Sequence, residues 1–141
     1  MKLLRVGEFG QEKIAVLDEN NLIKDLSDKI EDLSSDTLNS EYLEKIKDID
    51  LSKQKEIHPK TRIGPFINNP KNYFCVGKNF HLHALEVGSK APKEPMIFSK
   101  ANCISGPNDD IIIPKDSKKV DWECEIGVCL KEDVYQIKQD E

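Results

Sequence analysis

The chain has 141 residues, 38% of them hydrophobic and 33% charged, with a formal net charge of −5. That composition supports a folded core, one domain or a small domain with part of another, and excludes a disordered chain. No Lys/Arg stripe with interleaved aromatics and no apolar run of membrane-spanning length is present, so neither a nucleic-acid nor a membrane partner is expected.

At the N-terminus, Met1 to Gly7 lacks the apolar centre of a secretory signal. Cys75, Cys103, Cys124 and Cys129 form no CxxC pair, which fits a cytoplasmic protein with reduced thiols. Leu3–Val6, Lys13–Leu17 and Leu22–Leu26 are short apolar segments divided by Gly7/Gly10 and by Asp18-Glu19-Asn20-Asn21, the punctuation of a small antiparallel meander. Ser27 is placed to cap a short helix through Ile30 and Leu33. Ser40 is placed to cap a second, carrying Leu43 and Ile46 at helical spacing. His58 precedes Pro59 and reads as part of an extended surface linker. Nothing in this half clusters into a reactive constellation.

From Arg62 onward prolines recur and the segments between them shorten. Tyr73–Val76, Met96–Phe98 and Ile111–Ile113 read as strands, and Gly106-Pro107-Asn108-Asp109 as a turn. Gly77-Lys78 lacks the upstream glycine of a phosphate loop. In the stretch Phe80 to Val87, a helical turn would put His83 and Glu86, three apart, on one face. A carboxylate beside an imidazole fixes its tautomer, the form that strips a proton from water. A surface His–Glu pair, and a His81/His83 metal pair on a strand, are the competing readings.

The final segment, Val120 to Leu130, alternates with period two. Val120, Trp122, Cys124, Ile126, Val128 and Leu130 share one side, while Asp121, Glu123 and Glu125 share the other. This is the pattern of a half-buried strand, with same-face Cα atoms roughly 6.5–7 Å apart. Neighbouring carboxylates repel, and a hard divalent cation between them converts repulsion into binding. A solvated acidic face is the alternative.

In order and spacing, Arg62-Ile63-Gly64-Pro65, Cys75-Val76-Gly77-Lys78-Asn79-Phe80 with His83-Ala84-Leu85-Glu86, Pro95-Met96-Ile97-Phe98-Ser99-Lys100, Ser105-Gly106-Pro107-Asn108-Asp109 and Asp121-Trp122-Glu123-Cys124-Glu125-Ile126-Gly127-Val128 follow one another. Together they resemble the fumarylacetoacetate hydrolase family. The branch they look most like contains ureidoglycolate lyases and hydrolases of 2,4-dioxo-3-deoxy sugar acids. The resemblance implies an α+β fold, with a small N-terminal β-meander and helix cap domain over residues 1–68. The first half of a β-rich roll or sandwich catalytic domain would follow over 69–141.

It also implies roles. Glu123 and Glu125 match the glutamates that hold Mg²⁺ or Mn²⁺. His83 and Glu86 match the catalytic dyad that activates water, and Lys100 and Asn79 match positions that contact a small carboxylic acid substrate. Phe80 stands where the family has Tyr, and Leu82 where it commonly has Asp. Full-length members are implied to be homodimers. They continue past the Glu-x-Glu strand with a third metal ligand, an Asp, a second lysine and a Gly/Thr-rich loop. The chain reaches Glu141 without these, so a truncated enzyme is expected: a metal-dependent hydrolase or lyase by descent, or an inactive remnant or half-enzyme needing a complementary C-terminal fragment.

Overall fold

A computed structural model describes residues 1–138. Among the described residues the fold is α+β, with one four-stranded and one two-stranded antiparallel sheet and two α-helices. The chain forms two compact units. The first is Met1–Asn68 together with the chain from Ser105 onward, and the second is Asn69–Ile104.

The first unit is built on β1 (Lys2–Val6), β2 (Lys13–Leu17), β3 (Ile23–Asp25) and β4 (Glu56–Ile57), in that spatial order. Asp18 makes the β2–β3 turn: its Oδ1 accepts the Asn20 and Leu22 amides at 2.8 and 2.9 Å, and Asn21 takes a left-handed conformation. This is the expected meander, with a fourth strand added. Glu56-Ile57 is too short to show a periodicity, and it is a strand because it pairs with β3, Ile23 opposite Ile57.

Central strand β2 is buried on both faces. Ile14 and Val16 point into a cluster with Leu26, Leu33, Tyr42 and Ile46, while Ala15 joins Val6 and Ile23 on the other side. The first cluster is closed by helix α1 (Ser40–Lys47), whose buried residues are Tyr42 and Ile46. The helix starts as expected, but Asn39 and not Ser40 caps it: Asn39 Oδ1 accepts the Tyr42 amide at 2.8 Å. The Tyr42 hydroxyl donates to the Glu31 carbonyl at 2.8 Å, so a buried phenol is satisfied without water.

The helix expected after Ser27 does not form. Asp25 turns the chain instead by accepting the Ser27 amide at 2.9 Å, and a single turn follows in which Lys29 and Ile30 both donate to the Leu26 carbonyl. Leu33 is still fully buried, so the apolar spacing located the core contact but not the backbone that delivers it.

The second unit contains a hairpin of β5 (Phe74–Gly77) and β6 (Met96–Ser99), with helix α2 (His81–Glu86) between them. The register pairs Phe74 with Ser99 and Gly77 with Met96. Most of the hairpin's side chains are exposed. Ala84 is the fully buried residue of α2.

Two expected strands are absent among the described residues. Ile111–Ile113 and Val120–Leu130 run in irregular conformation, and every residue from Ile111 to Leu130 is exposed. A period-two pattern decides which side chains share a face. A strand also needs a neighbouring backbone, and among the described residues this segment joins no sheet.

Candidate functional site

Helix α2 presents the first pair of predicted site residues. Phe80 occupies its N-cap position without a side-chain cap, and Gly88 ends it at φ +69°. Ser89 donates from both its amide and its hydroxyl to the Ala84 carbonyl, at 2.9 and 3.1 Å, tying off the last turn. On that short helix His83 Nδ1 stands 3.7 Å from Glu86 Oε2. The expected shared face is therefore present, at ion-pair distance rather than hydrogen-bond distance. Both side chains are exposed, His83 less so at 44% against 80% for Glu86. His81 and His83, two apart, are both on the helix, where residues so spaced do not face each other.

Asn79 is exposed in the turn that leads into α2, directly after Lys78 at φ +53°. Lys100 follows β6, and its amide donates to the Tyr73 carbonyl at 3.1 Å, extending the hairpin ladder by one bond. His83, Glu86, Asn79 and Lys100 thus all belong to the second unit.

Glu123 and Glu125 lie in the exposed irregular stretch assigned to the first unit. That stretch is tethered at both ends. Upstream, both oxygens of Asp109 are gripped by Arg62 at 2.7 and 2.6 Å. Downstream, Lys131 donates to the Ser40 hydroxyl at 2.8 Å, and that hydroxyl donates to Glu132. Two glutamate carboxylates are hard oxygen donors, chemically suited to Mg²⁺ or Mn²⁺. Among the described residues no group of three or more His, Cys, Asp or Glu is gathered to hold a metal. The donor type fits a divalent ion, and the number of donors falls short of a complete shell.

Arg62 and Asp109 stand in two of the motifs that carry the family resemblance, and the sequence alone assigns neither a role. The structure makes them part of a charge network with Glu12, Arg5 and Asp32. Hydrogen bonds from Arg62, and one from the Gly106 amide, hold the Asp109 carboxyl below its ordinary range. Burial pushes Glu12 up, but the Arg62 hydrogen bond, backbone amides and the Arg5 charge outweigh it, leaving Glu12 lowered. The available signal was an Arg and an Asp set beside Gly-Pro turns. An open depression of 370 Å³ on the first unit, between Lys29, Asp36 and Tyr42, contains none of the predicted site residues.

Residues 71–141, which include all of these predicted positions, match the sequence pattern described as fumarylacetoacetate (FAA) hydrolase C-terminal. The chain belongs to the fumarylacetoacetate hydrolase family. A protein of Burkholderia ambifaria named "Putative hydrolase" is 43% identical over 131 residues, which are 92% of this chain and 46% of the relative. Relatives from Burkholderia lata and Burkholderia multivorans are 43% and 41% identical over the same shares. The chain therefore spans about half the length of the curated relatives it matches. Among the described residues no helix is long and apolar enough to cross a membrane.

Proposed function

We propose that this chain carries the water-activating and metal-binding residues of a metal-dependent hydrolase or lyase of the fumarylacetoacetate hydrolase family. The substrate is a small carboxylic acid, either a 2-oxo (acylpyruvate-like) acid cleaved at a C–C bond or ureidoglycolate cleaved at a C–N bond. The observation that carries the reading is the pairing of His83 with Glu86 on α2 at 3.7 Å, inside the family-matched stretch that also holds Glu123 and Glu125.

Glu123 and Glu125 would hold Mg²⁺ or Mn²⁺. When bound, such an ion supplies Lewis-acid polarisation of the substrate's carboxylate and ketone or hydroxyl oxygens. The chain's own residues do the rest. Nδ1 of His83 faces Glu86, which would orient the ring and leave Nε2 to take a proton from water. Lys100 would pair with the substrate carboxylate, and the Asn79 amide would add a hydrogen bond. Phe80 has no hydroxyl to contribute. The division into a cap domain over 1–68 and a catalytic domain over 69–141, a cytoplasmic location and a homodimeric full-length form belong to the same proposal.

A second reading is favoured by one observation. Ile111, Ile112, Trp122, Ile126 and Val128 are each about 80% exposed or more. Apolar surface so placed is unfavourable in water and is a binding surface where it persists. In that reading the chain is silent alone, a remnant or a half-enzyme that works only with a complementary fragment carrying the remaining half of the relatives' length.

Turnover of an acylpyruvate and of ureidoglycolate, with Mn²⁺ uptake followed by electron paramagnetic resonance, separates the two. The first reading requires activity that Glu123→Gln abolishes together with metal uptake, and that His83→Ala lowers about 10²–10⁴-fold. Turnover retained in Glu123→Gln removes the metal mechanism. No turnover in the unaltered chain favours the second reading.

A further inference from the structure

Two stretches singled out in the sequence, Arg62-Ile63-Gly64-Pro65 and Ser105-Gly106-Pro107-Asn108-Asp109, have no part in the chemistry above. In the folded chain they form one object. Arg62 uses Nε and Nη2 on the two Asp109 oxygens, and Nη1 on Glu12 Oε1 at 2.6 Å and on the Gly7 carbonyl at 3.1 Å. The Phe9 ring covers the guanidinium, 5.4 Å from centroid to carbon. Asp109 Oδ2 also accepts the Gly106 amide at 2.7 Å. The two backbones touch beside this pair: a Cβ on Gly106 would lie 2.1 Å from the Ile63 carbonyl oxygen and 3.1 Å from Gly64 Cα. Glycine at 106 is what lets the strands of chain approach so closely.

The network continues past Glu12. Its Oε2 lies 3.7 Å from Arg5, Arg5 holds both oxygens of Asp32 at 2.9 and 3.0 Å, and Asp32 accepts from the Asn68 side chain at 3.3 Å. The Asn68 amide is pinned as well, donating to the Leu33 carbonyl at 2.8 Å. Asn68 is the last residue of the first unit before the chain departs, and Ser105 is the first after it returns. One line of polar side chains therefore joins the point of departure to the point of return.

We propose that this line is a clasp with Arg62 and Asp109 as its positioning residues. It closes the excursion that bears His83 and Glu86, and fixes the root of the segment that bears Glu123 and Glu125. The inference rests on the roles given above to those four residues, and it assigns the clasp no contact with substrate or metal. Reacting groups misplaced by an ångström lose much of their rate advantage, so the roots of the segments that carry them must be held. A guanidinium suits the task because its rigid fork satisfies Asp109, Glu12 and a carbonyl at once. A lysine ammonium keeps the charge without that geometry.

The test uses the whole chain, with Arg62→Lys and Asp109→Asn as variants and Asp18→Ala, which loosens the β2–β3 turn at the end of β2 away from Glu12, as a destabilised control. Both clasp variants should weaken Mn²⁺ binding by about 2–30-fold, the range for residues that act on a site without touching it. They should also speed amide exchange about tenfold or more at both 62–68 and 105–110, with β2 unchanged. Asp18→Ala should leave Mn²⁺ affinity as it was. Clasp variants that bind Mn²⁺ as tightly as the unaltered chain, or a control that loses affinity equally, overturn the positioning role. If the unaltered chain takes up no Mn²⁺, the metal reading fails and exchange alone decides. Faster exchange at 62–68 in Asp109→Asn then supports the clasp, and a change confined to 105–110 overturns it.

Discussion

Strand β2 and the segment from Val120 to Leu130 both read as strands in the sequence and meet opposite fates. Ile14, Ala15 and Val16 are at most 1% exposed, whereas Trp122, Ile126 and Val128 are about 80% exposed. The second segment has the cleaner alternation of the two. What separates them is company: β2 has β1 on one side and β3 on the other, and α1 lies across one face. Alternation makes a segment ready to be a strand, and paired backbone with a covering layer makes it one.

The sharpest way to probe that contrast is to remove the charges that brace the closed region. Arg5 is 4% exposed and stands between Glu12 and Asp32. Arg5→Ala takes the guanidinium from Asp32, leaves Glu12 to Arg62 alone, and should cost about 3–5 kcal/mol in denaturant unfolding, the range for breaking a buried pair. Next in size is a matched pair of truncations. Leu33→Ala, at a fully buried position, should cost about 2–5 kcal/mol. Ile112→Ala, at a position 90% exposed, should stay within about 0.5 kcal/mol. Comparable losses at the two sites would mean that the exposed segment is covered in solution, and the contrast would collapse.

Acid should act on the closed region through the same network. Glu12 and Asp109 both titrate below their ordinary values of 4.5 and 3.8 when folded. A carboxylate lowered on folding contributes stability that is complete above its unfolded value and disappears as the pH falls through its folded value. Melting temperature should therefore begin to drop below about pH 4.5, and the gap between the unaltered chain and Glu12→Gln should narrow over the same interval. A gap that is constant from pH 7 to pH 3 would show that Glu12 acts by shape alone. Tyr42 offers an independent readout of the closed core. Burial, and then the charges of Asp32 and Glu31, raise its phenol to about 12, so one of the three tyrosines should ionise late in a spectrophotometric titration.

How far the sequence could be read follows from where the information sits. The meander was legible because its turns carry their own signals and its strands pair with neighbours in the chain. The hairpin strands β5 and β6 were legible from short apolar runs, and α2 from the composition of Leu82 to Glu86. Strand β4 was not, since two residues hold no period, and neither was the irregular path of Ile111 to Leu130, whose fate depends on partners that its own residues do not specify. In the candidate site, the proximity of His83 and Glu86 is a local consequence of helical spacing. The Arg62–Asp109 pair joins positions 47 apart in the chain, and nothing local to either residue announces its partner.

A single misplaced cap shows how finely local signals resolve. Asn39 and Ser40 are adjacent, and both are residue types that cap helices. The structure chooses Asn39, with extended backbone at φ −158° and its Oδ1 on the Tyr42 amide, and leaves the Ser40 hydroxyl to Lys131 and Glu132. Asn39→Ala should therefore cost about 1 kcal/mol by removing the acceptor from an otherwise orphaned N–H. Ser40→Ala, inside the first turn and bonded to exposed charges, should cost less than half of that in the same denaturant titration. Because Tyr42 is both the capped residue and part of the core, the Asn39 variant should also shift the late tyrosine titration, and Ser40→Ala should not. Equal losses, or the reverse order, would return the cap to Ser40, one residue later than Asn39.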